Sequence, residues 1–287
     1  MSSDATSKTA FVLAGGGSFG AIQVGMLREL VAHGVQPDLV VGASVGALNG
    51  AYFAADPTAA GVARLESIWR GLKRRDVFPV TLRRLAGLFF ESASLVDSFG
   101  LRRLIEHHLP YQELENAAIP IHIAATELLS GASVQISSGP AVEAILASCA
   151  IPAAFPAVRV GQDYLIDGAV ASNTPIMTAV GLGASRLIVL PTGFACALKA
   201  PPATAVGNAL HALNLLVAHQ LVRDLEQLAG QVEVITVPPL CPLAVSPYDF
   251  SRADELIGRA AESTRQWLQK GGLTRQRIPG ALRPHVD

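Results

Sequence analysis

The sequence predicts an α/β protein built as three layers, with a mainly parallel central sheet between helices. Three observations predict it. Short buried apolar runs alternate with helical patterns along most of the chain. A glycine-rich turn, Gly15-Gly16-Gly17-Ser18-Phe19-Gly20, follows the first run. A Gly-x-Ser-x-Gly turn, Gly42 to Gly46, follows the second and opens the next helix.

Residues 10–13 read as a short buried strand, and the helix after the glycine turn has apolar positions Ile22, Met26, Leu27, Leu30 and Val31 at core-facing spacing. Gly34 ends it. Residues 39–41 form the second strand, and residues 47–53 the helix that leaves it. Pro57 breaks the chain before a helix carrying Val62, Leu65, Ile68 and Trp69. Residues 101–109 read as a helix, 119–125 as a strand, 141–148 as a helix and 164–166 as a strand ending at Asp167. Residues 187–190 and 232–237 are further buried strands, separated by a long helical pattern over 208–228. The last helix starts near Ser251, which suits an N-cap, and Gly271-Gly272 stops it. One domain is expected over residues 10–273, with residues 1–9 disordered or extended and 274–287 a loosely ordered tail.

Composition narrows the function. Half of the 287 residues are apolar, 16% are charged and the formal net charge is -1. Nucleic acid as a main partner would call for a basic excess that is absent here. The three cysteines, Cys149, Cys196 and Cys241, are odd in number and far apart, with neither metal spacing nor a disulfide framework. A reducing, cytoplasmic setting is therefore expected. The polar start, Met1 to Thr9, does not read as a signal peptide, and no apolar run is long enough to span a bilayer. Residues 73–90 mix Lys73, Arg74, Arg75, Arg83 and Arg84 with Val77, Phe78, Leu85, Phe89 and Phe90. Such a segment suits a lid or a peripheral membrane contact; it equally suits a loop and helix whose arginines snorkel over the core.

Ser44 is the candidate nucleophile. A serine between Gly42 and Gly46, after a buried strand and before a helix, is placed as in a nucleophile elbow, with the helix's positive end behind it. A plain small-residue turn gives the same pentapeptide. The backbone amides of Gly15, Gly16, Gly17 and Ser18 can form an oxyanion hole, or the loop can cradle a dinucleotide. A dinucleotide site needs an acid at the end of the second strand. Here Asp38 precedes that strand, which ends in the serine. For a base, none of the histidines (His33, His107, His108, His122, His211, His219, His285) sits on a loop after a late strand. Asp167 does leave a strand, just before Gly168, and can take the serine proton directly if it lies within reach. The same Asp-Gly pair can be a bare turn.

These residues lie in segments that resemble the patatin-like phospholipase family. AGGGSFGAIQVGML, VVGASVGALNGAYFA and ASCAIPAAFPAVRVGQDYLIDGAVASNTP look like its three blocks, in the same order. IPIHIAATELLSG between them is similar too, so the resemblance spans roughly residues 10 to 190. It implies a patatin-like α/β/α fold and a Ser-Asp dyad of Ser44 and Asp167. It implies oxyanion donors at Gly15 to Ser18 and supporting roles for Pro152, Pro156 and Asn173. Many members carry Arg or Lys where this chain has Phe19, so this chain lacks the cation that the resemblance would use to anchor an anionic head group or loop at that spot; the dyad is untouched.

The expectation is thus a serine acyl hydrolase needing no metal or cofactor, acting on phospholipids, lysophospholipids or neutral acyl esters. A non-catalytic lipid-binding protein of the same fold is the alternative. A nucleotide-binding oxidoreductase is a weaker one. Oligomeric state is not encoded legibly.

Overall fold

A computed structural model describes residues 7–78, 96–193, 205–228, 230–243, 245–274 and 278–282. Among the described residues eight strands form one sheet: β1 (Thr9–Leu13), β2 (Leu39–Ala43), β3 (Ile121–Glu127), β4 (Ser133–Ile136), β5 (Val158–Val160), β6 (Asp163–Asp167), β7 (Arg186–Leu190) and β8 (Glu233–Thr236). The strands β3, β2, β1, β7 and β8 run parallel to their neighbours. The pairings β3–β4, β3–β6 and β5–β6 are antiparallel. The sheet is mainly parallel, as expected, with an antiparallel end.

The helices among the described residues are α1 (Gly20–Ala32), α2 (Val45–Ala55), α3 (Ala59–Gly71), α4 (Arg74–Val77), α5 (Phe99–His108), α6 (Ala141–Ser148), α7 (Ala169–Ser172), α8 (Ile176–Gly181), α9 (Ala205–Leu228) and α10 (Ala253–Gln269). Side chains alternate across a strand, so each buried strand feeds two cores. Phe11, Leu13, Val40, Ile188 and Leu190 face a large core shared with α1, α2, α3 and α10. Ala10, Val12, Leu39, Val41, Leu187 and Val189 face a smaller one under α8 and α9, closed by Leu221, Leu225 and Leu228. That double burial is why these strands read as unbroken apolar runs.

Register decides where the site lies. Ala124 of β3 pairs with Ala43 of β2 on one edge and with Gln135 of β4 on the other. The next residue, Ala125, pairs with Val134 of β4 and with Asp167 of β6. Strands β2 and β6 therefore meet end to end along the same edge of β3. The chain leaves β2 at Ser44 and leaves β6 at Asp167, so the two residues converge at that junction.

Several expectations shift. Strands β4 and β5 were not anticipated, being short and half-exposed. The third strand starts two residues later than expected and runs to Glu127. The final helix is entered through a 3-10 turn, Phe250–Arg252, capped by Asp249, whose carboxylate accepts the Ser251 N–H at 2.9 Å. Asp249 caps that turn, and Arg252, not Ser251, stands at the N-cap of the helix itself. Within the tail, Gly280–Leu282 makes another 3-10 turn and Leu282 is buried against the smaller core. At the other terminus, the Lys8 carbonyl accepts N–H groups of Ser185 and Arg186. Of residues 73–90, only 73–78 lie among those described.

Candidate active site

Ser44 has φ 53° and ψ -126°, a conformation disfavoured for a residue with a side chain. Holding it there costs on the order of 1–3 kcal/mol, which the surrounding structure must offset. The turn closes because its flanks lack side chains. A Cβ on Gly42 would lie 2.4 Å from the Gly46 carbonyl oxygen, and one on Gly46 would lie 2.2 Å from that of Leu13. The Ser44 N–H donates to Ser148 Oγ at 2.8 Å, and Ser148 Oγ donates to the Ala124 carbonyl at 2.6 Å. One hydroxyl at the end of α6 thus ties the strained turn to β3.

Ser44 Oγ donates to Asp167 Oδ2 at 2.7 Å. The other carboxylate oxygen, Oδ1, accepts the Ala169 N–H at 2.8 Å. Asp167 is fixed at its backbone as well. Its N–H donates to the Ala150 carbonyl, and its carbonyl accepts Thr126 Oγ1. Burial pushes its carboxyl up to about 6, against the opposing hydrogen bonds from Ser44 and Ala169. An aspartate so placed can accept a proton near neutral pH.

The glycine loop lies beside this pair, but its four amides are not equivalent. The Gly15 N–H donates to the Asn173 carbonyl at 3.0 Å, and the Ser18 N–H to the Pro247 carbonyl at 2.7 Å. Both amides are already engaged within the fold. The amides of Gly16 and Gly17 have no partner among the described residues, and both residues line the cleft with Ser44 and Asp167. Thr192 Oγ1 donates to the Gly15 carbonyl at 2.6 Å. Asn173 Oδ1 occupies the space a Gly15 Cβ would need, at 2.5 Å. Gly168 packs on the Ala124 carbonyl, under the dyad. Pro152 lines the cleft and Pro156 does not. Phe19 is buried in the large core rather than turned to the cleft.

A buried polar chain holds the loop from below. Trp69 Nε1 donates to Asn49 Oδ1, Asn49 Nδ2 to Gln23 Oε1, and Gln23 Nε2 to the carbonyls of Ala14 and Leu190. Sequence reasoning singled out none of Gln23, Asn49, Ser148 or Thr192. The legible signal was a polar residue on an otherwise apolar helix, clearest for Gln23 and Asn49.

The competing residues sit elsewhere. Asp38 Oδ2 accepts the Thr9 N–H at 2.7 Å, at the opposite end of β1 from the glycine loop, where it could not hold a ribose beside that loop. His33 Nδ1 lies against the Glu29 carbonyl, His122 against Ser137, and His107 against His108. His219 lies on α9 and is exposed. The His211 side chain and His285 are outside the described residues. Among the described residues, no histidine lines the cleft.

Comparison with known proteins gives the family. A family model described as patatin-like phospholipase matches residues 11–180. A Caenorhabditis elegans patatin-like phospholipase domain-containing protein is 27% identical over 184 residues, which is 63% of this chain and 16% of that protein. A lysophospholipase from Lodderomyces elongisporus is 26% identical over 190 residues, 63% of this chain and 12% of that protein. The chain spans well under a quarter of the length of these relatives. A human GIVD cytosolic phospholipase A2 structure superposes with a TM-score of 0.48 at 14% identity, covering 96% of this chain and 60% of that one. With the family model matched across more than half of its length, from the first strand past the aspartate, the chain belongs to the patatin-like phospholipase family.

Proposed function

We propose that this protein is a serine acyl hydrolase that cleaves fatty-acyl esters through Ser44 and Asp167. The observation that carries the reading is the 2.7 Å hydrogen bond from Ser44 Oγ to Asp167 Oδ2 at a serine held in a strained elbow. Ser44 Oγ attacks the ester carbonyl as its proton passes to Asp167. The carbonyl oxygen becomes an oxyanion held by the Gly16 and Gly17 amides, aided by the positive end of α2. The tetrahedral adduct collapses, and Asp167 returns the proton to the departing alcohol. Water then repeats the sequence on the acyl-enzyme, with Asp167 as base, and releases the fatty acid.

The substrates are phospholipids, lysophospholipids or neutral acyl esters, in keeping with the family and with a relative named as a lysophospholipase. A cytoplasmic protein that meets lipid peripherally, through residues 73–90, fits this activity. Labelling with a fluorophosphonate probe tests the reading. The wild type should be labelled and Ser44→Ala should not. Equal labelling of the two would reject Ser44 as nucleophile, and an unlabelled wild type would favour a lipid-binding protein without catalysis.

A further inference from the structure

Ser44 faces two spaces, one mixed and one almost wholly apolar. The first is the cleft, where Asp167, the glycine loop, Asn173, Thr192 and Tyr248 lie among apolar residues such as Val170 and Leu221. The second is a pocket that shares only Gly17, Ser44 and Ile151 with the cleft, and whose wall is otherwise aliphatic and aromatic apart from the Cys149 thiol, the Trp69 N–H being held by Asn49. That thiol is itself buried and held protonated, its pKa raised by burial. An ester bound with its carbonyl oxygen at Gly16 and Gly17 has two arms, which must diverge from Ser44. A polar alcohol arm has hydrogen-bonding partners in the cleft. An alkyl arm has none to lose in the pocket and gains from each methylene it buries.

We propose that this pocket is the acyl-chain site and that Phe78, Phe155 and Phe250 set the chain length it accepts, an assignment that rests on the acyl hydrolase reading. The wall is continuous. Phe78 stacks on Phe155 with ring centroids 5.2 Å apart and packs against Phe250 at 6.2 Å, while Phe250 stacks on Trp69 at 6.1 Å. The Trp69 ring is locked in turn by its hydrogen bond to Asn49. Phe155 and Phe250 are buried, whereas Phe78 is partly exposed. Phe78 also meets Tyr248, a cleft residue, edge-on at 6.1 Å, so it stands between the two spaces. Trimming Phe78 opens the wall without emptying the core. A bulkier residue at Leu48, on the α2 side of the pocket, fills it.

The test measures kcat/KM of the full chain on p-nitrophenyl butyrate, octanoate and dodecanoate, all below the concentration at which they aggregate. Phe78→Ala should raise the dodecanoate-to-butyrate ratio about tenfold, and Leu48→Trp should lower it by a similar factor, the scale of a methylene or two gained or lost in an apolar pocket. Phe155→Leu carries the same expectation as Phe78→Ala should that variant not fold. An ethyl fluorophosphonate, too short to fill the pocket, reports on Ser44 separately: Ser44 Oγ bonds to phosphorus as fluoride leaves, and Asp167 takes the hydroxyl proton of Ser44. If Ser44 is labelled in every variant but the ratio stays within twofold of wild type, the acyl-site assignment is overturned and the hydrolase reading stands. If the wild type is not labelled, both fall.

Discussion

The two halves of the proposed dyad are built in opposite ways. Ser44 is positioned locally: β2, its two flanking glycines and α2 are contiguous in sequence, and their backbone clearances alone force the turn. Asp167 is positioned at a distance. It reaches Ser44 because β6 pairs with β3 exactly one residue beyond the point where β2 stops, and because Ser148, Thr126 and Ala150 fasten the junction. A nucleophile can be encoded in five residues, whereas its base depends on the register of a sheet. The glycine loop combines both modes, with local glycines and a remote Asn173 and Thr192 behind them.

The sharpest way to break the comparison is to remove the locally built half. Ser44→Ala should lower kcat on a short soluble ester by at least about a thousandfold while the fold is retained. Losing a nucleophile commonly costs several orders of magnitude, and alanine fits the same backbone at this buried position. Retention of more than a few per cent of turnover on that ester would remove Ser44 from the chemistry.

Asp167→Asn probes the remote half. Activity should fall by about a hundredfold or more, since proton transfer to a positioned base is worth that much. In the wild type, kcat/KM should rise with pH through about 6 and then level off, because the base works only when ionised. Stability should move the other way. A carboxyl whose folded pKa lies above its unfolded value favours the fold while protonated. That contribution is complete below about pH 4 and is lost as pH rises through about 6. The full effect is on the order of 2–3 kcal/mol. Asp167→Asn should therefore gain melting temperature relative to wild type between pH 5 and pH 8. A difference that is flat over that range would show that Asp167 is not the raised carboxyl.

Ser148→Ala separates positioning from chemistry. It deletes the acceptor for the Ser44 N–H and leaves a buried donor unpaired, a loss of about 1–3 kcal/mol. The strained turn should loosen. We expect kcat to drop about tenfold with KM within a factor of two, and the pH midpoint to stay where Asp167 sets it. A change confined to KM would place Ser148 in substrate binding instead.

How much of this was legible follows the same division. The central strands and the elbow could be read because burial on both faces makes apolar runs and a tight turn demands glycine. Strands β4 and β5 could not, since short edge strands with half-exposed residues carry little periodic signal. Ser44 was legible from local pattern. Asp167 stood out only as an aspartate after a strand, with a bare turn equally in view, until the family resemblance singled it out. Its register against β3 is a property of pairing that no local window contains. The commitment of the Gly15 and Ser18 amides was hidden for the same reason, because their acceptors, Asn173 and Pro247, lie far along the chain.

The smallest expected effect is the one that keeps the base assignment honest. A pH midpoint near 6 is also where an ordinary histidine titrates, so the profile alone does not distinguish Asp167 from an imidazole. The described histidines are engaged away from the cleft or exposed: His33 with the Glu29 carbonyl, His122 with Ser137, His107 with His108. Burial lowers the pKa of His122 and of His108 from the ordinary imidazole value, so the replacements, and not the midpoint, separate them from Asp167. Replacing His33, His107, His108, His122, His211, His219 and His285 by alanine, one at a time, should leave kcat/KM within about tenfold of wild type, a change of ~1.4 kcal/mol in the barrier. The midpoint should remain at about 6 in every variant. One histidine variant that both abolishes turnover and erases the acid limb would make the dyad a triad, and Asp167 would then orient the base rather than act as it.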